Sequence, residues 1–354
     1  MSFVDKIGLQ LYTVRDEAEK DFLGTLQRVA EMGYRVVEFA GFYGTPADKL
    51  KETLEKLSLI PAASHTPIEQ LKNDLEHVIE YNKVVGTKAI VCPWAEIGTY
   101  EDVLKIADLM NSVAPEILKA GMKVGYHNHS NEFKIFNGEY GLDILLNSTE
   151  KAGVFPEIDV FWVEFAGLDA INYISKYKNR CEIIHLKDMK HRGQSEFAEV
   201  GSGVLNMRGI IKKGLEMGAE YFIVEQDTTE IPSLESAKIS IENILRGIGV
   251  TFVETVDPLE LDAAVDTVKR AADAPGVRAV IFKSPCIAVC RPGKLFQVDQ
   301  EECRKCRTCI NQLGCPAITI NDGAVEIDSS LCYGCGLCSQ VCPFQAIREV
   351  ETNE

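Results

Sequence analysis

Ala89-Ile90-Val91-Cys92-Pro93-Trp94, then Val103, Ile106, Ala107 and Met110, then Gly121 and Lys123-Val124-Gly125-Tyr126-His127-Asn128-His129, spell out a strand, a helix and a second strand. Each short apolar run reads as a strand buried on both faces. The i, i+3, i+4, i+7 spacing reads as an amphipathic helix, and the glycine as a left-handed helix end. Two strands joined through a helix lie parallel. The unit recurs in both directions. Further apolar runs lie at Ile7–Thr13, Arg35–Ala40, Ile60–His65, Phe155–Trp162, Glu182–Lys187 and Tyr221–Glu225, eight in all with the first two. Helical spacing separates them, as in Phe22, Leu26, Val29 and Ala30, or Leu71, Leu75, Val78 and Ile79. Gly33, Gly86, Gly153 and Gly218 repeat the role of Gly121. Eight strands alternating with helices predict an α/β fold, a (β/α)8 TIM barrel, over residues 1–248. A doubly wound open sheet competes, but no Gly-x-Gly-x-x-Gly follows the first strand.

Composition sets the bounds. The chain has 354 residues, 46% hydrophobic, with mean hydropathy −0.03, enough for a sizeable core and more than one domain. No apolar run reaches the ~18 residues of a membrane span, and the first residues carry no secretion-signal pattern. The net charge of −16 disfavours a nucleic-acid partner. Ten of the 12 cysteines lie between Cys286 and Cys342. Cysteines clustered in a long chain without a signal point to metal and a reducing compartment, so a cytoplasmic location is expected. The two upstream thiols, Cys92 and Cys181, lie in or beside strands and read as small apolar groups.

Functional residues of such a barrel sit at the C-terminal ends of its strands. Four of the six histidines do so: His65, His127, His129 and His185; His77 falls in a helix and His191 in a loop. Glu38, Glu132, Asp159, Asp188 and Glu225 fall at the same level. Each alone reads as a hydrogen-bonded structural residue. Together they suit a divalent cation such as Mn, Mg, Co or Zn.

Ile7-Gly8-Leu9-Gln10-Leu11-Tyr12-Thr13-Val14-Arg15, Tyr126-His127-Asn128-His129-Ser130-Asn131-Glu132-Phe133, Ile158-Asp159-Val160-Phe161-Trp162, His185-Leu186-Lys187-Asp188 and Val224-Glu225-Gln226-Asp227 come in one order. That order resembles the xylose-isomerase-like sugar phosphate isomerase/epimerase barrels across residues 5–247. The resemblance implies a divalent metal held by Asp159, His185 and Glu225. The remaining ligand, a glutamate in many relatives, is Glu132 or His127, with Glu132 favoured. It also implies a small sugar or sugar-phosphate substrate. Removal of the proton beside a carbonyl calls for a general base, Glu225, with Glu132 or Glu38 on the other face. Lys187 is a candidate for oxyanion stabilisation or a partner of Asp188. His65, His127, His129 and Asp188 are candidates for substrate contacts. Dehydration of a keto sugar begins with the same proton abstraction. The related barrel endonucleases need a DNA-binding surface, and residues 1–248 carry 27 basic against 38 acidic residues, a net of −11.

After Gly249 the pattern changes. Thr251–Val256, Pro258–Ala272 and Val277–Phe282 predict a βαβ piece, so 249–295 reads as a fragment or linker. In 296–354 come Cys303-x2-Cys306-x2-Cys309-x5-Cys315-Pro316 and Cys332-x2-Cys335-x2-Cys338-x3-Cys342-Pro343. Triplets at this spacing with a fourth cysteine before proline make the bacterial-type two-cluster ferredoxin run, a small α+β module. Three thiolates wrap one cubane and the fourth crosses from the other run. The expected ligands are therefore Cys303, Cys306, Cys309 and Cys342 for one 4Fe–4S cluster, and Cys332, Cys335, Cys338 and Cys315 for the second. The triplets repeat at an offset of 29, an internal duplication separated by a hairpin around Asn321-Asp322-Gly323. Cys286 and Cys290 read as spare thiols.

Val256-Asp257-Pro258, Lys283-Ser284-Pro285-Cys286, Leu313-Gly314-Cys315-Pro316-Ala317-Ile318 and Cys332-Tyr333-Gly334-Cys335-Gly336 resemble the C-terminal end of the indolepyruvate ferredoxin oxidoreductase large subunit. In that family the βαβ piece closes a thiamine-diphosphate domain. No Gly-Asp-Gly…Asn-Asn signature occurs in this chain, so thiamine chemistry is not expected from it. The expectation is a sugar isomerase-like barrel joined to an electron-transfer module with a redox protein partner. The alternative is an electron-transfer component whose barrel is a passenger, or an accidental fusion near Arg246–Thr251, since isomerisation consumes no net electrons.

Overall fold

The computed structural model describes residues 3–247, 250–274, 277–284 and 294–350; Cys286, Cys290 and part of the expected junction lie outside the described residues. Packing divides the chain into two compact units, Met1–Gly249 and Val250–Glu354. The βαβ piece and the cysteine-rich module both lie in the second unit. Among the described residues no helix is long and apolar enough to cross a membrane.

In the first unit eight parallel strands close into a barrel: β1 Ile7–Gln10, β2 Val36–Phe39, β3 Ile60–His65, β4 Ala89–Cys92, β5 Lys123–His127, β6 Val154–Asp159, β7 Ile183–Leu186 and β8 Tyr221–Val224. β8 pairs back onto β1, with Ile7 opposite Phe222 and Leu9 opposite Val224. The main helices between and after them are α1 Phe22–Glu31, α2 Ala47–Leu57, α3 Leu75–Val85, α4 Tyr100–Lys119, α5 Gly141–Ser148, α6 Ala170–Ser175, α7 Met207–Met217 and α8 Ser233–Gly247. The pre-strand glycines take positive φ, from 78° at Gly153 to 102° at Gly33, as a left-handed helix end requires.

Two strands, β1 and β6, stop three residues short of their apolar runs, and in each case a side chain turns the chain. Gln10 accepts a bond from the Tyr12 N–H (3.1 Å), starting a 3-10 turn over Leu11–Val14. Asp159 Oδ1 accepts from Phe161 N–H (2.9 Å) and Trp162 N–H (3.4 Å), capping a helix at Val160–Phe165.

Alternation decides what fills the barrel. Val36, Ala63, Val91, Phe155, Ile183, Tyr221 and Ile223 form an apolar cluster with their neighbours. A Cβ on Gly125 would lie 2.7 Å from the Phe155 ring, and one on Gly8 would lie 2.4 Å from Ile223, so these two glycines make room for the plug. Two residues further along the same strands, the same side of the chain carries Glu38, His65, Glu157, His185 and Glu225. The interior therefore changes from hydrocarbon to charge at the C-terminal ends of the strands.

In the second unit β9 Val250–Val256, α9 Leu261–Asp273 and β10 Val277–Phe282 form the expected parallel βαβ piece. The helix begins after Pro258 because Asp257 Oδ1 accepts from Leu259 N–H (2.8 Å), closing a turn first. β11 Leu295–Val298, α10 Thr308–Leu313, β12 Ile318–Asn321, β13 Ala324–Ile327, α11 Leu337–Val341 and β14 Ile347–Val350 follow. β11 pairs antiparallel with β14, and β12 with β13. The β12–β13 turn is Asp322-Gly323, both at positive φ (48° and 77°), the twist-matched two-residue hairpin. Gln340 ties the pieces together: its side chain accepts from Leu261 N–H (2.8 Å) and donates to the Leu259 carbonyl (2.7 Å). The duplication extends to the backbone. Lys305 and Arg307 (φ 55° and 62°) match Gly334 and Gly336 (φ 67° and 74°) at the same offset.

Candidate functional site

Most of the polar residues expected at the barrel mouth converge there. His127, on β5, has Nδ1 3.0 Å from Glu157 Oε2 and Nε2 3.8 Å from Asp159 Oδ2. His185, on β7, has Nδ1 2.9 Å from Glu225 Oε2 and Nε2 2.6 Å from Glu38 Oε2. His65, on β3, has Nε2 2.7 Å from Glu157 Oε2. Gln10 Nε2 donates to Glu38 Oε2 (2.8 Å). The Lys187 ammonium, fully buried, lies within 3.0 Å of each of Asp159, Glu225 and Asp227.

Two overlapping donor sets have all their atoms within 4.8 Å of one another: His65, His127, Glu157 and His185; and His127, Asp159, His185 and Glu225. Several of these atoms have neighbours but no aligned bond. Asp159 Oδ2, His185 Nε2, Glu38 Oε1 and Glu157 Oε1 are buried without a hydrogen-bond partner, Asp159 Oδ2 despite the Lys187 nitrogen 3.0 Å away. Asp159 divides its work: Oδ1 caps a helix and Oδ2 faces the cluster. Nitrogen and carboxylate donors packed this closely, with orphaned lone pairs, fit a divalent cation.

Burial sets the titration of the site against its charge pairs. Burial, reinforced by Glu157, pushes Glu38 up to about 7. Burial likewise pushes Asp159 up to about 6, although Lys187 pulls the other way. For Glu157 and Glu225 burial is outweighed by the cations around them, His185 and His65 for the first and Lys187 and His185 for the second, so both are held well below the usual range. Burial lowers His129 to about 4, helped by Lys187. Burial opposes charge on His185 too, but Glu38 and Glu157 hold its pKa up.

Other expected residues sit differently. Glu132 is buried in a 3-10 turn, Asn131–Phe133, where its carboxylate accepts from Tyr126 Oη (2.9 Å) and His129 N–H (2.8 Å). It belongs to neither donor set, and His127 is the β5 residue that does. Burial pushes Glu132 up to about 7. Lys187 does not pair with Asp188. The Asp188 carboxylate instead accepts from four backbone amides, Met189, Gly201, Gly203 and Leu205 (2.8–3.1 Å), and organises the loop after β7. Glu157 and Asp227 complete the cluster and were not expected; each lies two residues from an expected residue, on the same face of the chain. His191 is exposed beside Glu196. Cys92 and Cys181 are buried, and burial pushes both thiols up to about 12, as inert apolar groups.

A cavity of about 740 Å³ opens over the cluster; His65, His127, His129, Glu225 and Asp227 line its floor, while Glu38 and Glu132 do not reach it. His77, on α3, lines its wall. Tyr12 and Trp94, 42% and 51% exposed, also line it and offer aromatic faces.

In the second unit Cys303, Cys306, Cys309 and Cys342 line one small cavity together. Cys342 and Cys306 are near enough to raise the Cys309 thiol electrostatically, though burial is the larger cause. Burial raises Cys338 to about 12, and Cys335, Cys332 and Cys315 add to it. The fourth cysteine of each run therefore lies beside the triplet of the other. Eight thiols in two crossed quartets fit two four-iron cubanes.

Both units are similar to known proteins. The chain spans about a fifth of the length of the curated indolepyruvate oxidoreductase subunits it matches. The indolepyruvate oxidoreductase subunit IorA of Methanothermobacter marburgensis is 44% identical over 118 residues, 32% of this chain and 19% of that one. The inosose dehydratase of Clostridium beijerinckii is 23% identical over 195 residues, 49% of this chain and 65% of that one. A sugar phosphate isomerase/epimerase from Parabacteroides distasonis superposes with a TM-score of 0.60 at 26% identity, covering 69% of this chain and 94% of its own. A 4Fe-4S binding domain matches residues 325–348. The xylose isomerase-like TIM barrel family matches residues 26–247, nearly the whole closed barrel with its charged mouth, and the chain belongs to that family.

Proposed function

We propose that the barrel is a divalent-metal-dependent enzyme that abstracts the proton beside the carbonyl of a keto sugar, as an isomerase, epimerase or dehydratase. The carrying observation is the quartet His127, Asp159, His185 and Glu225, whose donor atoms lie within 4.8 Å of one another beneath an open cavity. These four are the proposed ligands. When bound, the cation supplies Lewis-acid polarisation of the substrate oxygens. Glu225 reaches the cavity and, kept ionised by Lys187 and His185, takes the proton. Lys187 keeps Asp159, Glu225 and Asp227 ionised side by side. Glu38 and Gln10 hold His185 from below, and Glu132 orients the His129 segment through its backbone. His65 and His129 remain for substrate hydroxyls.

The tail is proposed to carry two 4Fe–4S clusters on the crossed quartets and to exchange electrons with a separate redox protein, since the barrel reaction needs none. Metal-loaded protein should incorporate deuterium from heavy water into a ketose or keto-inositol, at the carbon beside the carbonyl. Failure of every sugar in a broad panel, with metal content verified, would remove the enzyme reading.

A further inference from the structure

We infer that the substrate of the barrel is an uncharged keto sugar and not a sugar phosphate, an inference that rests on the reading above and narrows it. A phosphate dianion in a protein site is met by Arg or Lys, by a free helix N-terminus or by a nest of amides. Among the described residues no Lys or Arg lines the cavity over the donor cluster, whereas Asp74, Glu225 and Asp227 do.

The nearest cations are already engaged. Arg15 stacks on the Tyr12 ring at 3.9 Å, and its guanidinium donates to the carbonyls of Tyr12 (2.7 Å) and Asp227 (2.8 Å). The Lys187 ammonium is shared among three carboxylates. Thr45 and Pro67 line the wall just ahead of two helices, α2 and a short one at Ile68–Asn73, but those helices carry Asp48 and Glu69 in their first turns. Acid there already meets the partial positive charge that would attract a phosphate. A divalent cation and the Lys187 ammonium together would set three positive charges against a cluster of five carboxylates (Glu38, Glu157, Asp159, Glu225, Asp227). The loaded site therefore offers a phosphate no surplus of positive charge, while Tyr12 and Trp94 suit the C–H faces of a neutral sugar ring.

The chain's two tryptophans make this measurable without turnover. Trp94 lines the cavity and Trp162 lies 5.6 Å from the His129 ring. Tryptophan emission of the full chain in saturating Mg²⁺ is titrated with ketoses and keto-inositols, then with the matching phosphates. The neutral sugars should bind roughly tenfold or more tightly than their phosphates, the consequence of uncompensated like charge. Gln70→Lys, at an exposed position on the cavity wall, should narrow that gap by strengthening phosphate binding. Phosphates binding as tightly as the neutral sugars, or more tightly, would overturn the inference and leave the keto-sugar reading standing. Silence from both classes in metal-loaded protein would overturn both.

Discussion

Lys187→Met removes one charge from the most crowded part of the barrel and keeps the volume of the side chain nearly constant. The wild-type ammonium, fully buried, lies 2.9–3.0 Å from Asp159, Glu225 and Asp227. Without it the three carboxylates face one another with no cation between them. Breaking a buried pair by removing one partner typically costs about 3–5 kcal/mol, because an uncompensated charge remains. In a barrel of this size that corresponds to a midpoint lower by roughly 6–20 °C. The sign of the pH dependence is fixed by the same geometry. The wild-type lysine has a raised pKa, burial being outweighed by its carboxylates, so its contribution is complete at neutral pH and lost only as pH rises through that raised value. In the variant the carboxylates instead become weaker acids. They bind protons more readily folded than unfolded, so the penalty should shrink as pH falls from 8 to 5. Urea or thermal unfolding in the presence of chelator, followed by near-ultraviolet circular dichroism, measures both effects. A midpoint within 2 °C of wild type (below the ~6 °C lower bound), or a penalty flat across that pH range, would refute the charge account of this cluster.

Asp159→Asn keeps an oxygen for the helix cap but loses the charge facing the cluster, so the protein should fold and bind at least tenfold less divalent metal by elemental analysis; undiminished content in it and in His185→Ala would exclude the proposed ligands. Anaerobically prepared protein should carry about eight irons, and Cys342→Ser should damage the cluster of Cys303, Cys306 and Cys309 in electron paramagnetic resonance, not that of its neighbours in sequence. Asp143 is half-buried, and burial would raise its pKa, but donors from Tyr173, Lys176 and Tyr177 at 2.7–2.9 Å hold it below the usual range. Asp143→Asn should therefore cost about 1–3 kcal/mol at pH 7, a loss that fades as pH falls below the ordinary carboxylate range.

The eight strands were legible because a parallel barrel buries both faces, and buried runs bounded by glycine stand out in any composition. Their ends were less so: Gln10 and Asp159 stop β1 and β6 by bonding to backbone two residues on, and a side-chain bond leaves no periodicity to read. His65, His127, Asp159, His185 and Glu225 were legible as polar residues at strand ends. Glu157 was hidden inside the apolar run it interrupts, and Asp227 beyond the run it follows. Parity would have exposed both, since each stands two residues from an expected member. Glu132 was singled out as a ligand by its place in a motif, and no periodicity could show that the 3-10 turn sets its carboxylate against Tyr126 and a backbone amide.

The repeated left-handed positions in the tail carry a consequence for the balance between the two proposed clusters. The two cysteine loops trace the same path, but the first does so with Lys305 and Arg307, flanked by Arg304, and the second with Gly334 and Gly336. Glycine takes that conformation freely; a lysine or arginine there stores strain of about 1 kcal/mol or more. The strained residues are exposed cations within the loop that carries Cys303, Cys306 and Cys309. Positive charge favours the reduced, more negative state of a cluster, so cubanes in the two proposed quartets would differ in potential on a scaffold symmetric in shape. With cubanes in the two proposed quartets, an electron would rest more on the basic loop's cluster than on the glycine-lined one, so two copies of a single loop would be unequal as electron holders.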